Sequence, residues 1–409
     1  MMYYNFEKHK EFLYLDLFVY LIPISIILGN LIINIVSAAC IFIYFLLIYK
    51  RKIIYNNYKN YFFVLYSITA FLLLNLIFSK NFQLSFVSIL GFLRYYFLFL
   101  VILFCLNEIE NFEKVFTKIV FVLVLFVIFD VLFQHFFLKD IFGYEINSSH
   151  GRRLSGPFGD EKVAGAFISK LFFLASLYIY KINKGIKIIL TIIILSAVTI
   201  ILSNERSSSI IFLTAGFVFF IFCNMQFLKK SILFLLTLSS VLFLVNSSAN
   251  LKSHFIEVPL KHFQDNHYRA HYLTSYEIFK DHKLIGSGIK TFRHVCGDKK
   301  YENIKTKYVS NRCATHTHNI YLEILSETGI IGITIFTILN FYVLISLIKD
   351  YFKKKFLNEI TLLLFCNFFI LFWPLQTTGS FFSTWNGIFY WIFLSFFFHF
   401  KNKLASESI

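Results

Sequence analysis

Read from its N-terminus, the chain repeats one pattern: a long apolar run, a short polar or basic interruption, then another apolar run. A helix needs about 20 mostly apolar residues to cross the hydrocarbon core of a bilayer. About twelve segments approach that length, near 13–29, 31–49, 61–79, 86–106, 115–137, 162–180, 186–203, 207–223, 231–248, 329–348, 360–378 and 387–400. Gly29 and Asn30 mark the turn between the first two. The seventh, eighth and last runs are short, which predicts tilt or partial burial. The polar start, MMYYNFEKHKEF, leads into an apolar run with no small-residue cleavage site. That run reads as a retained helix rather than a signal peptide.

The interruptions alternate in character. Basic stretches at 49–52, 181–187, 229–230 and 349–356, and the tail KNKLASESI, fall on one side when the helices alternate. Basic loops mark the cytoplasmic side, and an even count puts both termini there. Two long loops then lie outside, at about 138–161 and 249–328. The chain divides into helices one to nine (1–248), the large outer loop (249–328), and helices ten to twelve with a cytoplasmic tail (329–409). Composition agrees: of 409 residues, 57% are hydrophobic and 15% charged, against about 25% charged in soluble domains. The expected fold class is an all-α polytopic membrane protein. The net charge of +16 is accounted for by loop lysines and arginines, and no basic surface domain remains for nucleic acid.

Candidate chemistry gathers outside the bilayer. In the turn SNERSSSI, Arg206 stands beside hydroxyls and the first N–H groups of a helix at Ser207–Ser209. That is a phosphate-binding arrangement, or an arginine reaching for lipid headgroups. Arg269 and His271 open an amphipathic segment closed by LIGSGIKTF, with a solvated helix face as the alternative for Arg269. The GSG there lacks the context of a dinucleotide fingerprint and reads as a tight loop. His316, His318 and Asn319 precede a short helix that carries Glu323 and Glu327 one turn apart and ends at Gly329. A helix N-terminus disfavours imidazolium and keeps a histidine neutral, able to act as a base. A His-X-His pair is a weak zinc signal, though His294, Cys296 and Cys313 offer further ligands. A Cys296–Cys313 disulfide suits an oxidising compartment better. The four other cysteines lie in apolar runs, as packing residues. In RRLSGPFGDEK, Arg152 and Arg153 precede a turn, and Asp160 and Glu161 stand where acids would cap the sixth helix. Arg94 and Asp130 lie within apolar runs, where charges are costly. Either the two pair, or Arg94 faces an anionic headgroup.

Together the many-helix topology, NERSSS, the segment from Arg269 to IKTF, and HTHNIYLEILSETGIIG resemble the O-antigen ligase / O-antigen polymerase superfamily of bacterial envelope glycosyltransferases. The resemblance covers most of the chain, with its specific motifs between about Arg152 and Gly332. It implies a GT-C-like fold in the bacterial inner membrane with a periplasmic active site. It implies inverting transfer of a glycan from an undecaprenyl-diphosphate carrier, without a metal or other cofactor. The acceptor would be lipid A-core in a ligase, or a second lipid-linked glycan in a polymerase. On matching positions His318 would be the base, and Arg206 and Arg269 would hold the diphosphate. Arg152, Arg153, Asn319, Tyr321, Arg94 and Glu161 are the further candidates for substrate contact. The physics is consistent: a diphosphate leaves without a general acid, and arginines can stabilise its departing charge. One dominant outer loop favours a ligase. A transporter or flippase would show ionisable residues at mid-membrane and broken repeated helices, and a scaffold would leave the arginines and His318 without work.

Overall fold

The computed structural model describes residues 2–50, 58–146, 153–183, 185–261, 265–353 and 358–406. A helix occupies every one of the expected apolar segments. These are α1 (Met2–Leu28), α2 (Asn30–Tyr49), α3 (Lys59–Ile77), α4 (Phe82–Glu108), α5 (Phe112–Phe137), α6 (Ala164–Asn183), α7 (Ile186–Leu202), α8 (Arg206–Phe222) and α9 (Phe227–Ser247). The chain then passes through α10 (Ala249–Lys252), a π turn at Ser253–Glu257 and α11 (Val258–Lys261). Next come α12 (His267–Asp281) and α13 (Phe292–Val295), before α14 (Ile320–Lys353), α15 (Asn358–Phe372) and α16 (Thr384–Ser406). Among the described residues, seven helices are long and apolar enough to cross a membrane, and four shorter apolar ones accompany them. This is the make-up of a polytopic membrane protein. The last helix is not short: α16 has 23 residues, and α15, with 15, is the brief one. Lys401 to Lys403 continue the helix past the apolar run, because good helix formers propagate it whatever their polarity.

The core is built around α4 and α6. From Leu98 to Leu106 every α4 side chain is buried, packed against α16, α2 and α3. Helix α6 lies between α5 and α15. Outward faces carry large exposed apolar residues such as Leu31, Phe42, Phe63 and Phe243, as a lipid solvent permits.

One break positions the site. Helix α14 is two helices joined at Gly329, whose φ of 66° and ψ of −166° are non-helical. A Cβ there would sit 2.4 Å from the Leu284 carbonyl oxygen, and one on Gly286 (φ +85°) would sit 2.3 Å from the Glu327 carbonyl carbon. The two glycines let the 283–288 loop lie directly on the end of the first α14 segment. Ser287 N and Gly288 N donate to the Ser326 and Glu327 carbonyls, each at 3.0 Å, and Ile330 N donates to Lys283 O at 2.8 Å. Asn75 Nδ2 of α3 donates to the Ile285 and Glu327 carbonyls at 2.7 and 2.9 Å. Carbonyls that end a helix need such donors, and here a loop and a neighbouring helix supply them. The GSG and TGIIG motifs are therefore two halves of one lock.

Candidate functional site

The first α14 segment starts at Asn319. Its Oδ1 accepts from Leu322 N at 3.1 Å, and its Nδ2 donates to Pro374 O at 2.6 Å. The cap of α14 is thus tied to the loop after α15. Tyr321 adds a second tie, donating its hydroxyl to Phe372 O at 2.7 Å. These bonds give Asn319 and Tyr321 fold-building roles at the edge of the site.

His318 stands just before this cap with φ of 59°. That left-handed backbone costs a β-carbon-bearing residue energy and is held only by its surroundings. The surroundings are visible: the His318 carbonyl accepts from Thr378 N at 3.0 Å. Its ring packs against His316 (centroids 4.1 Å), His271 (5.2 Å) and Tyr268 (5.3 Å). Neither ring nitrogen of His318 has a hydrogen-bond partner among the described residues, whereas its neighbours are committed. His271 Nδ1 faces the Arg312 carbonyl at 3.4 Å. His316 Nε2 faces the Thr378 carbonyl at 3.2 Å, and its Nδ1 lies 2.9 Å from the Thr315 hydroxyl. A ring nitrogen facing a carbonyl must carry the proton, so both tautomers follow. Burial first, then the charges of His316, His271 and His267, lower the His318 pKa to about 3. The ring is neutral at physiological pH.

Cys296 and Cys313 are disulfide-bonded, with Cα atoms 5.3 Å apart. The bond removes two thiolates from any zinc site. Arg312, next to it, donates to Cys296 O at 3.1 Å and to Glu302 Oε1 at 3.0 Å. The disulfide thereby anchors the carbonyl that fixes His271.

A cationic group approaches from the α7–α8 turn. Arg206, half-buried at the start of α8, is within electrostatic reach of Tyr268 and Arg153. After burial, Arg206 and Arg153 together hold His254 down at about 4. Neither arginine forms an ion pair among the described residues. Arg152 lies outside the described residues. Arg269 is exposed on the first turn of α12, where Asn266 Oδ1 caps its N–H at 3.0 Å. Its charge acts on Asp265.

Three sequence expectations are corrected. The serine hydroxyls of the turn do not face outward. Ser207 donates to Thr377 O at 3.0 Å, Ser208 to Glu205 Oε2 at 3.1 Å, and Ser209 to Glu205 O at 2.9 Å. Asp160 and Glu161 do not cap α6. Both are exposed, because a 3-10 turn at Gly156–Phe158 delays the helix to Ala164. The cap is Glu205, which sequence reasoning overlooked beside Arg206. Its carboxylate accepts from Gly165 N at 2.6 Å and Ala166 N at 3.0 Å. Its burial raises it to about 7 against the pull of those hydrogen bonds and of Arg153. Arg94 and Asp130 do not pair. Arg94 Nη2 donates to the Tyr95 hydroxyl at 2.7 Å, while Asp130 accepts from Ile141 N at 2.9 Å and holds the loop after α5. Glu323 and Glu327 lie in the interior. Each is 1% exposed. Glu327 accepts from Lys290 N at 2.7 Å and Phe292 N at 3.1 Å, and Glu323 from Phe381 N at 2.6 Å.

Beside the arginine group lies a cavity of about 660 Å³ between the ends of α5, α7 and α9. Leu138, Leu154, Leu202, Leu244 and Leu251 form one part of its wall, and His135, Lys139, Glu145 and Asn250 make the rest partly polar. Leu154 adjoins Arg153, and Leu202 leads into the turn that carries Glu205 and Arg206.

Residues 191–337 match the family model described as O-antigen ligase. The matched span runs from α7 through the break in α14 and contains Arg206, Arg269, the disulfide loop and His318. It supports the O-antigen ligase / polymerase superfamily, and with it a ligase- or polymerase-like function for a multi-pass membrane protein. No curated protein matches the chain.

Proposed function

We propose that this protein is an O-antigen ligase-like glycosyltransferase, moving a glycan from an undecaprenyl-diphosphate carrier to lipid A-core or a similar acceptor on the periplasmic face. The observation that carries the reading is His318: a neutral imidazole with no ring-nitrogen hydrogen bond among the described residues, packed against Tyr268, which lies within electrostatic reach of Arg206. Arg206 and Arg153 hold the donor diphosphate and stabilise the charge that develops as it leaves. Arg269 joins them from α12. The leucine-walled side of the cavity near Arg153 receives the start of the polyprenyl chain. His318 takes the proton of the attacking acceptor hydroxyl. Attack from the face opposite the diphosphate gives inversion at the anomeric carbon, and the diphosphate needs no acid to depart.

Negative charge from a bound diphosphate raises an imidazolium's stability and brings His318 toward the range where a base is effective. His318→Ala is expected to lower transfer by about 10²–10⁴-fold in a reconstituted assay with a lipid-diphosphate donor. An unchanged rate would overturn the assignment. In cells deleted for this chain, a gel of surface lipopolysaccharide tests the acceptor. Loss of all long chains with lipid-linked polymer accumulating supports the ligase. Single repeat units on the core would instead make it a polymerase.

A further inference from the structure

A second set of cations surrounds the buried carboxylates of α14. Lys290 sits in the 283–292 loop with φ of 59°. That loop is fastened from three sides: Lys290 N and Phe292 N bind Glu327, Ser85 Oγ donates to Ile289 O at 3.0 Å, and Lys80 N donates to Ser287 O at 2.8 Å. Arg94 lies further along α4, at the level where Phe92 packs on Phe381 (5.8 Å) and Phe382 (5.4 Å). Phe381 N is the donor to Glu323. Arg293, exposed on α13, acts electrostatically on both Glu323 and His316. Four parts of the chain thus bring Arg94, Lys290 and Arg293 to one region.

A structural role for the three as counterions is the simplest account, but the hydrogen bonding does not require it. The close contacts of the two carboxylates come from three backbone N–H groups, while Glu323 Oε1 has no hydrogen-bond partner among the described residues and feels Lys290 and Arg293 only at longer range. None of the three cations is in an ion pair among the described residues. Arg94 Nε is a buried donor without a partner, and such groups are rare unless a ligand or water meets them. Burial, then Arg293, lowers the Lys290 pKa; Arg94 adds to this, and Glu323 and Glu327 oppose it. Like charges held together in this way are relieved by an anion.

We propose that Arg94, Lys290 and Arg293 form a second anion site, which holds a phosphate or diphosphate group of the acceptor. The proposal rests on the reading above, in which Arg153 and Arg206 hold the donor diphosphate. The two sites reach His318 through different neighbours: the donor arginines through Tyr268, the second group through His316. The base then stands between two anchored lipids, and its selectivity is for a phosphorylated acceptor.

The test is calorimetric titration of inorganic pyrophosphate into the purified full-length protein, which needs no glycan transfer. Two pyrophosphates are expected per chain. Arg293→Gln, on an exposed residue, and Lys290→Gln are each expected to weaken one site by about tenfold or more, with melting unchanged for Arg293→Gln. Arg206→Gln is expected to weaken only the other. A single site, lost in Arg206→Gln and untouched by Arg293→Gln and Lys290→Gln, would overturn the proposal. A single site weakened by Arg293→Gln and Lys290→Gln and untouched by Arg206→Gln would instead defeat the donor reading. Nanodiscs separate the sources of phosphate. Two sites persisting in phosphatidylglycerol as in phosphatidylcholine support an acceptor group, whereas phosphatidylglycerol blocking the second site would reassign it to a bilayer headgroup.

Discussion

Glu205 offers the most direct quantitative test, because a buried carboxylate that caps a helix is caught between opposed forces. Three hydrogen bonds, from Gly165 N, Ala166 N and Ser208 Oγ, favour its charged form. Burial opposes them and wins, setting the pKa at about 7 rather than 4.5. The gap, at about 1.4 kcal/mol per pH unit, corresponds to about 3 kcal/mol. The folded-state pKa is raised, so this stability is fully present below pH 4.5 and is lost as pH rises through 7. Glu205→Gln removes the titration. The measurement is unfolding free energy in mixed micelles at several pH values, wild type against variant. The wild-type advantage should fall by about 3 kcal/mol between pH 4.5 and 8. His318 and His254, whose pKa values are depressed, push stability the other way, but both proteins share them and they cancel in the difference. Parallel pH curves would refute the reasoning. A widening wild-type advantage would refute it too, since it would mean that the cap hydrogen bonds outweigh burial.

Two further outcomes follow from the lock and the disulfide. Gly329→Ala should destabilise the protein by about 3 kcal/mol or more, from the backbone region that only glycine adopts freely and from the collision with Leu284 O. Transfer should fall with it, while Gly91→Ala, where nothing lies within 4 Å of the new carbon, should leave both unchanged. Cys296→Ser with Cys313→Ser should cost about 3 kcal/mol, the loop entropy for a separation of 17 residues. Thermal unfolding under reducing and oxidising conditions checks this, the variant matching the reduced wild type.

What was legible in the sequence was what depends on neighbours along the chain. Apolar length placed the helices, and the Gly29 turn and the Asn319 cap were readable as local backbone chemistry. The spacing of Cys296 and Cys313 in one polar loop suggested their bond. His318 could be singled out because a helix start and a polar loop meet there. Tertiary structure alone decided the partners. Glu205 caps a helix that begins 40 residues earlier, a pairing across α6 and α8 that no local pattern records. Glu323 and Glu327 read in sequence only as two acids one turn apart on a short helix, and are buried because distant loops bring N–H groups to them. The same limit hid the group formed by Arg94, Lys290 and Arg293. Hydrophobic periodicity determines which segments must leave water, whereas a buried charge is settled by whichever donors the packing delivers, and those come from anywhere in the chain.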